Sequence, residues 1–575
     1  MSAAVGQDGR RHCSPAGRWC LRVSRHSMPM EMVSATLPQL FSAACEQFGS
    51  REMLAFAPLG KVTVRLSGLE LRALVDAAAT ALATKGVTKG THVGLLCTNR
   101  PEWVAWAFGA WRLGAVVVPL STLWKPAELA FALRHADVEL LIGMRTFRQR
   151  NYAADLAAVA PDVAGISAAT PLFSPSVPTL RHLLFFEPED SAPPTIPASA
   201  PELSSHVEAL TDRVTPADRA AIFFTSGTTA QPKAVVHAHE SLVISASRIA
   251  QALGIDASDT WWGHMPLFWT GGFVLGLLAT WSGGGRVVLQ ERVEPASTLR
   301  LLETERCTIM AGWHQAGPLL EHPDFSREKI ALRKGSIHPL AERFLATPHF
   351  AVGMYGLSET ATCVACARWD DPPEVRTSSC GHPLPGTEVR IVDPEAGTEL
   401  PPEATGEICV RGVTLMEGYY KVPRSETFDP EGFFHTGDLG FLDHDGRLHF
   451  VGRLKDVIKT AGVNVSAAEV EELLAQHPAV AAAHVVGVPH PVRGENVAAF
   501  VVLRNGASAS DDDLLEFCRQ RLASYKVPRH VLFIEAEEVP RTASGKIEKA
   551  KLRLLAAKRL QQGARETPTT GISAT

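Results

Sequence analysis

At 575 residues the chain is longer than one ordinary hydrophobic core supports, so two or three structural units are expected. An apolar share of 46% and a charged share of 20% are normal for a soluble globular protein. A net charge of −5 argues against a global bias toward nucleic acid or an anionic membrane surface. Ten cysteines without a dense framework point to a reducing, intracellular setting, so a cytoplasmic location is expected. Cys363 and Cys366 form a lone C-x-x-C with no second pair at a zinc-ribbon spacing. They read as two small, semi-buried residues rather than a metal or redox site. Residues 103–120 are interrupted by Arg112 and 273–281 are too short to span a bilayer, so both read as buried elements.

In chain order, residues 1–32 come first. Arg10, Arg11, Arg18, Arg22 and Arg25 stand in the first thirty with one acidic residue, Asp8, and little periodicity. An organellar transit segment has this look, but a disordered tail or a start assigned too early is the preferred reading, with Met28, Met30 and Met32 as later starts. Through 33–453 helical patterns alternate with short β-rich runs, which argues for α/β layers. Residues 69–84 read as an amphipathic helix, 91–97 as a strand, 102–111 as a helix and 115–120 as a strand. Residues 187–201 are rich in Pro, Ala, Ser and acidic groups and suit an exposed connection. Near residue 390 the texture turns toward β, with strand-like runs at 388–392, 406–411 and 447–451 between Gly, Pro and Asp turns. Beyond Arg453, residues 467–476 look helical, 480–488 and 497–503 strand-like and 511–522 helical. Residues 454–556 are therefore expected to form a separate small α+β domain. From 557 the chain is polar and is expected to be a disordered tail.

Residues 223–239 read FFTSGTTAQPKAVVHAH. An apolar run gives way to a loop of small residues, with Gly227 among four hydroxyls: Thr225, Ser226, Thr228 and Thr229. Pro232 and Lys233 close it. Small residues let backbone N–H groups approach phosphate oxygens, hydroxyls add donors, and Lys233 adds positive charge. The spacing is not that of the G-x-x-x-x-G-K nucleotide loop, so a P-loop kinase or ATPase fold is not implied.

This string resembles the T-S-G-T-T-G-x-P-K-G signature of the adenylate-forming superfamily, which contains acyl-CoA synthetases, nonribosomal adenylation domains and luciferase-like enzymes. Ala230 and Ala234 replace two glycines; if either position needs positive φ, alanine costs on the order of 1 kcal/mol. Residues 355–360 read YGLSET and resemble the family's Y-G-x-(S/T)-E-T. The resemblance implies Tyr355 and Gly356 along an adenine, Thr360 near the α-phosphate and Glu359 as a Mg²⁺ ligand. Such an ion takes oxygen ligands and often one or two protein carboxylates beside phosphates and water. Residues 335–339, GSIHP, stand in the place of an adenine-lining G-G-A-P, which implies adenine contacts for Ser336 and Ile337. HTGD at 435–438 resembles (W/Y)-x-T-G-D and makes Asp438 the acceptor for both ribose hydroxyls. Residues 452–471, GRLKDVIKTAGVNVSAAEVE, give the most specific match. It implies Arg453 at the ribose, Lys455 at an interdomain hinge and Gly462 on the loop that enters from the CoA side. Residues 540–549, PRTASGKIEK, resemble the family's P-(K/R)-T-x-(S/T)-G-K-(I/V), which implies Lys546 as the mobile catalytic lysine.

The likeness is strongest to bacterial-type fatty acyl-CoA synthetases. It implies a large N-terminal AMP-binding domain of layered α/β sheets with a β-rich subdomain, followed by a small mobile α+β lid. It implies an AMP-forming acid–CoA ligase using ATP, Mg²⁺ and coenzyme A. A carboxylate is a poor acyl donor, and adenylation gives it AMP as a leaving group. The negative charge crowding at the α-phosphorus then needs positioned cations and donors. Lys546, Glu359 with its Mg²⁺, and the loop from Thr225 to Lys233 would supply them.

Residues 262–278, WGHMPLFWTGGFVLGLL, resemble the acid-binding region, with Trp269 as a pocket wall and Gly271 and Gly272 leaving room; 311–317 would line the other side. An apolar pocket suits a medium- to long-chain fatty acid or another apolar acid better than an amino acid. His237 and His239 receive no role. The alternatives are an adenylating enzyme that loads a separate carrier protein, and an impaired acyl- or nucleotide-binding homologue. Intact Glu359, Asp438, Arg453 and Lys546 argue against the second. The expected partners are the acid, ATP and CoA, with no nucleic acid; a homodimer is left open.

Overall fold

The computed structural model describes residues 35–163, 171–190, 194, 196, 200–225, 232–313, 315–460, 463–490, 493–522, 524–542 and 545–566. The arginine-rich start, the loop residues Ser226, Gly227, Thr228, Thr229 and Ala230, and Gly462 lie outside the described residues.

Strands that are apolar at every position must be covered on both faces, and the large N-terminal part does this with two sheets. In one, Gly418–Tyr419, Lys233–Ala238, Arg219–Thr225, Val116–Pro119, His92–Leu96, Leu140–Met144 and His182–Phe186 lie side by side. In the other, the order is Lys334–Gly335, Ile309–Met310, Thr260–Gly263, Arg286–Gln290, Glu52–Ala57 and Val64–Ser67. Helix Gly68–Ala83 packs on Glu52–Ala57, helix Pro101–Arg112 packs on His92–Leu96 and Val116–Pro119, and the two helices pack on each other. A helical layer thus joins the sheets. The helices start where the sequence can cap them: Thr36 with Gln39 and Ser67 with Glu70 form reciprocal capping boxes. Trp103, Phe108, Trp111, Phe273 and Trp281 form one buried aromatic cluster between them.

A β-rich portion follows, with Thr387–Val392, Gly406–Gly412, Phe434–Leu442 and Leu448–Arg453 antiparallel in that order. Beyond it a smaller sheet joins Val463–Ser466, Val457–Thr460, Gly494–Leu503 and Val480–His490, with His530–Phe533 parallel to Gly494–Leu503. Alternation along that long strand builds two cores. Val497, Ala499 and Val501 face helices Ala467–Ala475 and Asp511–Arg519, while Ala498, Phe500 and Val502 face Leu552 and Ala556 of the last helix. The expected architecture, a large layered α/β part followed by a small α+β part, is the one observed.

Two features differ from expectation. The last helix runs Lys549–Glu566, past the point where a disordered tail was expected. Leu552, Leu555, Ala556 and Leu560 explain it, because they form an apolar stripe at helical spacing against the sheet. The second concerns Gly271 and Gly272. They open a π-helix, Gly271–Leu278, continued by the α-helix Ala279–Ser282. A Cβ on Gly272 would stand 2.1 Å from the Pro266 carbonyl oxygen, and one on Gly271 would stand 2.7 Å from Met265 Sδ. Gly272 thus admits a backbone neighbour and does not leave an open space for an acyl chain, whereas at Gly271 the close atoms are only the end of the flexible Met265 side chain. No described helix is long and apolar enough to cross a membrane.

Candidate active site

The strand Arg219–Thr225 and the strand Lys233–Ala238 form an antiparallel pair with Thr225 opposite Lys233. The pairing therefore holds Thr225 and Lys233, the two ends of the phosphate-loop segment, side by side. Ala234 sits inside this pairing, buried, and is not among the residues with positive φ, so it needs no glycine. Lys233 Nζ lies over the Tyr419 ring, 4.5 Å from its centre. The Tyr419 hydroxyl donates to Glu359 Oε1 at 2.9 Å. Burial, with Glu359 beside it, raises the Tyr419 pKa well above its ordinary value, so this phenol stays a donor.

Glu359 itself is half-buried in the short turn Ser358–Thr360. Two contacts fix that turn. Glu359 O accepts from Met416 N at 2.8 Å, and Ser358 O lies 2.7 Å from His237 Nε2. A carbonyl can only accept, so Nε2 carries the proton. His237 is fully buried, and burial pushes its pKa down to about 4. It is a neutral strut. Thr360 is turned inward: its hydroxyl is buried, donates to Leu357 O and accepts from Leu357 N, both at 3.1 Å. This corrects the expectation of Thr360 at a phosphate. The hydroxyl of that turn left half-buried is Ser358.

The nucleoside side is built on Tyr355 and Asp438. The Tyr355 hydroxyl donates to Asp438 Oδ2 at 2.8 Å, and its ring stacks on Phe450 with centres 5.6 Å apart. Burial, then Asp438, raises the Tyr355 pKa far above its usual range. Gly356 needs its lack of a side chain, since a Cβ would stand 1.9 Å from Thr362 O. Asp438 is 2% exposed. Arg453 Nε stands 2.9 Å from its Oδ1, an ion-pair distance, but that oxygen receives no directed hydrogen bond. Burial raises the Asp438 pKa, and Arg453 and Tyr355 oppose the shift. A buried carboxylate oxygen lacking a donor is what a ribose hydroxyl would satisfy. Ser336 is held differently, with Trp313 Nε1 donating to its carbonyl at 2.9 Å. Trp313 in turn stacks on His338, centres 4.9 Å apart. Trp269 is half-buried with its ring edge-on to Phe268.

The small C-terminal part contributes Lys546. Burial lowers its pKa and Arg453 lowers it further, while Glu359 and Asp438 pull the other way. Lys546 thus feels the charges of Arg453, Glu359 and Asp438 at a distance. Lys546 is an exposed residue, so solvent screens those charges. Lys455 lies in the turn Leu454–Asp456 that joins the two parts; its carbonyl accepts from Arg553 Nη2 at 2.8 Å, and burial lowers its own pKa. Cys363 and Cys366 are buried; a hydrogen bond with Cys363, then burial, raises the Cys366 thiol. Tyr419, His237, Ser358 and Phe450 were not singled out as site residues from the sequence. The strand pairing that brings Gly418–Tyr419 beside Lys233–Ala238 is long-range and leaves no local sign.

The arrangement can do three things. It offers a buried carboxylate and an aromatic platform to a nucleoside, a half-buried carboxylate to a divalent cation, and a cation from the second part to a charge developing between them. That defines a two-part nucleotide-using enzyme. The chain belongs to the AMP-binding enzyme family: that family's model matches residues 41–420, and the model of the family's C-terminal domain matches 469–546. It is 32% identical, over 90% of this chain and 98% of the other, to a methyl-dioxo-octahydroindenyl-propanoyl:CoA ligase of Rhodococcus jostii. It is 30% identical, over 85% and 86%, to the medium-chain fatty-acid–CoA ligase of Escherichia coli. Among solved structures, ATP-bound MatB from Rhodopseudomonas palustris superposes with a TM-score of 0.73 at 26% identity, covering 91% of this chain and 99% of that one.

Proposed function

We propose that this chain is an ATP-dependent, AMP-forming acid–CoA ligase acting in the cytoplasm on an apolar carboxylic acid, of medium- to long-chain fatty type or a ring-bearing equivalent. The observation that carries the reading is the buried Asp438 carboxylate with Arg453 at ion-pair distance, with Glu359 and Lys546 within electrostatic reach of the same charges. The CoA-ligase relatives support the acceptor, and the apolar run through Trp262, Phe268 and Trp269 supports the acid class.

Asp438 and Arg453 hold the ribose, with Tyr355 beside the base. Thr225, Lys233 and the loop between them grip the β- and γ-phosphates. Glu359, steadied by Tyr419, would hold Mg²⁺, which supplies charge neutralisation at the phosphates when bound. The acid is already anionic, so no general base is required. Lys546 meets the negative charge that builds up as pyrophosphate leaves. Lys546 is not needed once the acyl-adenylate exists. The turn at Lys455 then serves as the hinge about which the small part rotates to bring Gly462 to the CoA side.

The test is acid-dependent exchange of labelled pyrophosphate into ATP, followed by thioester formation from CoA, across aliphatic acids of graded length and aryl acids. Exchange and thioester together, strongest for apolar acids, are expected. Absence of exchange across the panel with folded protein overturns catalysis, and exchange without thioester points to a carrier-protein acceptor.

A further inference from the structure

Three donor atoms of different chemistry meet on the sheet that carries Asp438. Strands Gly406–Gly412 and Phe434–Leu442 place Cys409 directly opposite His435, and the register shifts between Glu407 and Cys409. Glu407, two positions before Cys409, lies on the same face of its strand. His435 Nδ1 stands 2.9 Å from Glu407 Oε2 and 3.4 Å from Cys409 Sγ. A ligand atom from each of the three falls within 4.8 Å of the others. A tetrahedral ion with bonds of about 2.0–2.3 Å holds such ligands about 3.3–3.8 Å apart. The two distances to His435 Nδ1 lie within a few tenths of an ångström of those values.

The other imidazole nitrogen faces a carboxylate as well, with Nε2 3.8 Å from Asp429 Oδ2. Asp429 is itself anchored by Phe433 N, 2.8 Å from its Oδ1. A metal-bound histidine commonly passes its second N–H to a carboxylate, and Asp429 stands at ion-pair distance for that role, leaving Nδ1 to bind. Glu407 and Cys409 are buried, whereas the His435 side chain is 44% exposed. The inner donors are thus set in the sheet, and the outer one opens to solvent, where a water would complete the coordination. Arg390 and Arg411 lie nearby over the Phe433 ring, but each is paired, with Glu431 and Glu388 respectively. A hydrogen-bonded strut accounts for the carboxylate and the imidazole, since Glu407 Oε1 also accepts from Gly437 N at 2.9 Å. It does not account for a thiol on the same ring nitrogen.

We propose that Glu407, Cys409 and His435 bind a thiophilic divalent cation of the zinc type, with the thiol proton released to solvent on binding. The site differs in kind from the hard-cation site at Glu359, because thiolate and imidazole select borderline metals and not Mg²⁺.

The test is anaerobic titration of chelator-stripped, reduced full-length protein with Co²⁺, read by thiolate-to-cobalt charge-transfer absorbance. One equivalent should develop the band, and Zn²⁺ should displace it. Cys409→Ser should abolish it, and Cys518→Ser, in another core, should leave it. His435→Gln, at an exposed position tolerant of change, should weaken cobalt binding at least tenfold. No band in the wild type, a band that survives Cys409→Ser, or unchanged affinity in His435→Gln each overturns the proposal.

Discussion

Removing the Lys546 side chain beyond Cβ should separate the two half-reactions. The ammonium sits within the electrostatic reach of Glu359, Asp438 and Arg453. In the first step it faces a charge that exists fully only at the transition state. At an effective dielectric of about 20, a unit charge roughly 4 Å away interacts by about 4 kcal/mol. Deleting one positioned donor from an anionic transition state costs about 3–4 kcal/mol by mutagenesis. Lys546→Ala should therefore slow adenylation by roughly 10²- to 10³-fold. Pyrophosphate exchange at saturating acid measures that step. Chemically prepared acyl-adenylate, supplied with CoA, measures the other, and its rate should stay near wild type. Because burial and Arg453 depress the lysine, the alkaline limb of adenylation should fall below the ordinary amine value of 10.5. Lys546→Arg should move that limb upward. Equal loss of both half-reactions, or intact exchange, refutes the reasoning.

Three further outcomes follow from the geometry. Asp438→Asn weakens charge-assisted bonds to ribose of about 1.5–3 kcal/mol, so the KM for ATP should rise roughly ten- to hundredfold in initial-rate assays; an unchanged KM contradicts the role. Gly272→Ala forces a Cβ to 2.1 Å from a backbone oxygen, and urea unfolding should show a loss of about 1–3 kcal/mol. Full stability together with an altered acyl preference would return Gly272 to the pocket. Burial holds His237 and His239 neutral with pKa values of about 4, against 6.5 when exposed. Folding stability is thus complete above pH 6.5 and is lost between 6.5 and about 4, by about 3 kcal/mol for each histidine. His237→Gln should flatten that slope in denaturation measured across the interval.

The parts of the molecule legible in the sequence are those whose cause is local. Helix Pro101–Arg112, strand His92–Leu96 and strand Gly494–Leu503 follow from proline placement and short apolar runs within a few residues. The strings around Tyr355, Asp438 and Arg453 are readable because each motif lies on one short stretch of backbone. What could not be read depends on distant partners. Thr360 turns inward because its hydroxyl caps the turn at Leu357. Tyr419 reaches Glu359 through a pairing between strands far apart in sequence. Gly272 is spent on the Pro266 carbonyl, and the continuation of the last helix to Leu560 depends on a sheet assembled from earlier residues.

The central claim is that the acid's own carboxylate attacks the α-phosphorus of ATP. An acid labelled with oxygen-18 in its carboxylate, turned over with ATP and CoA, tests it directly when the AMP is analysed by mass spectrometry. The account predicts one heavy oxygen in the phosphate of each AMP, with acyl-CoA formed in equal amount. Unlabelled AMP, or ADP with the label in free phosphate, would contradict it.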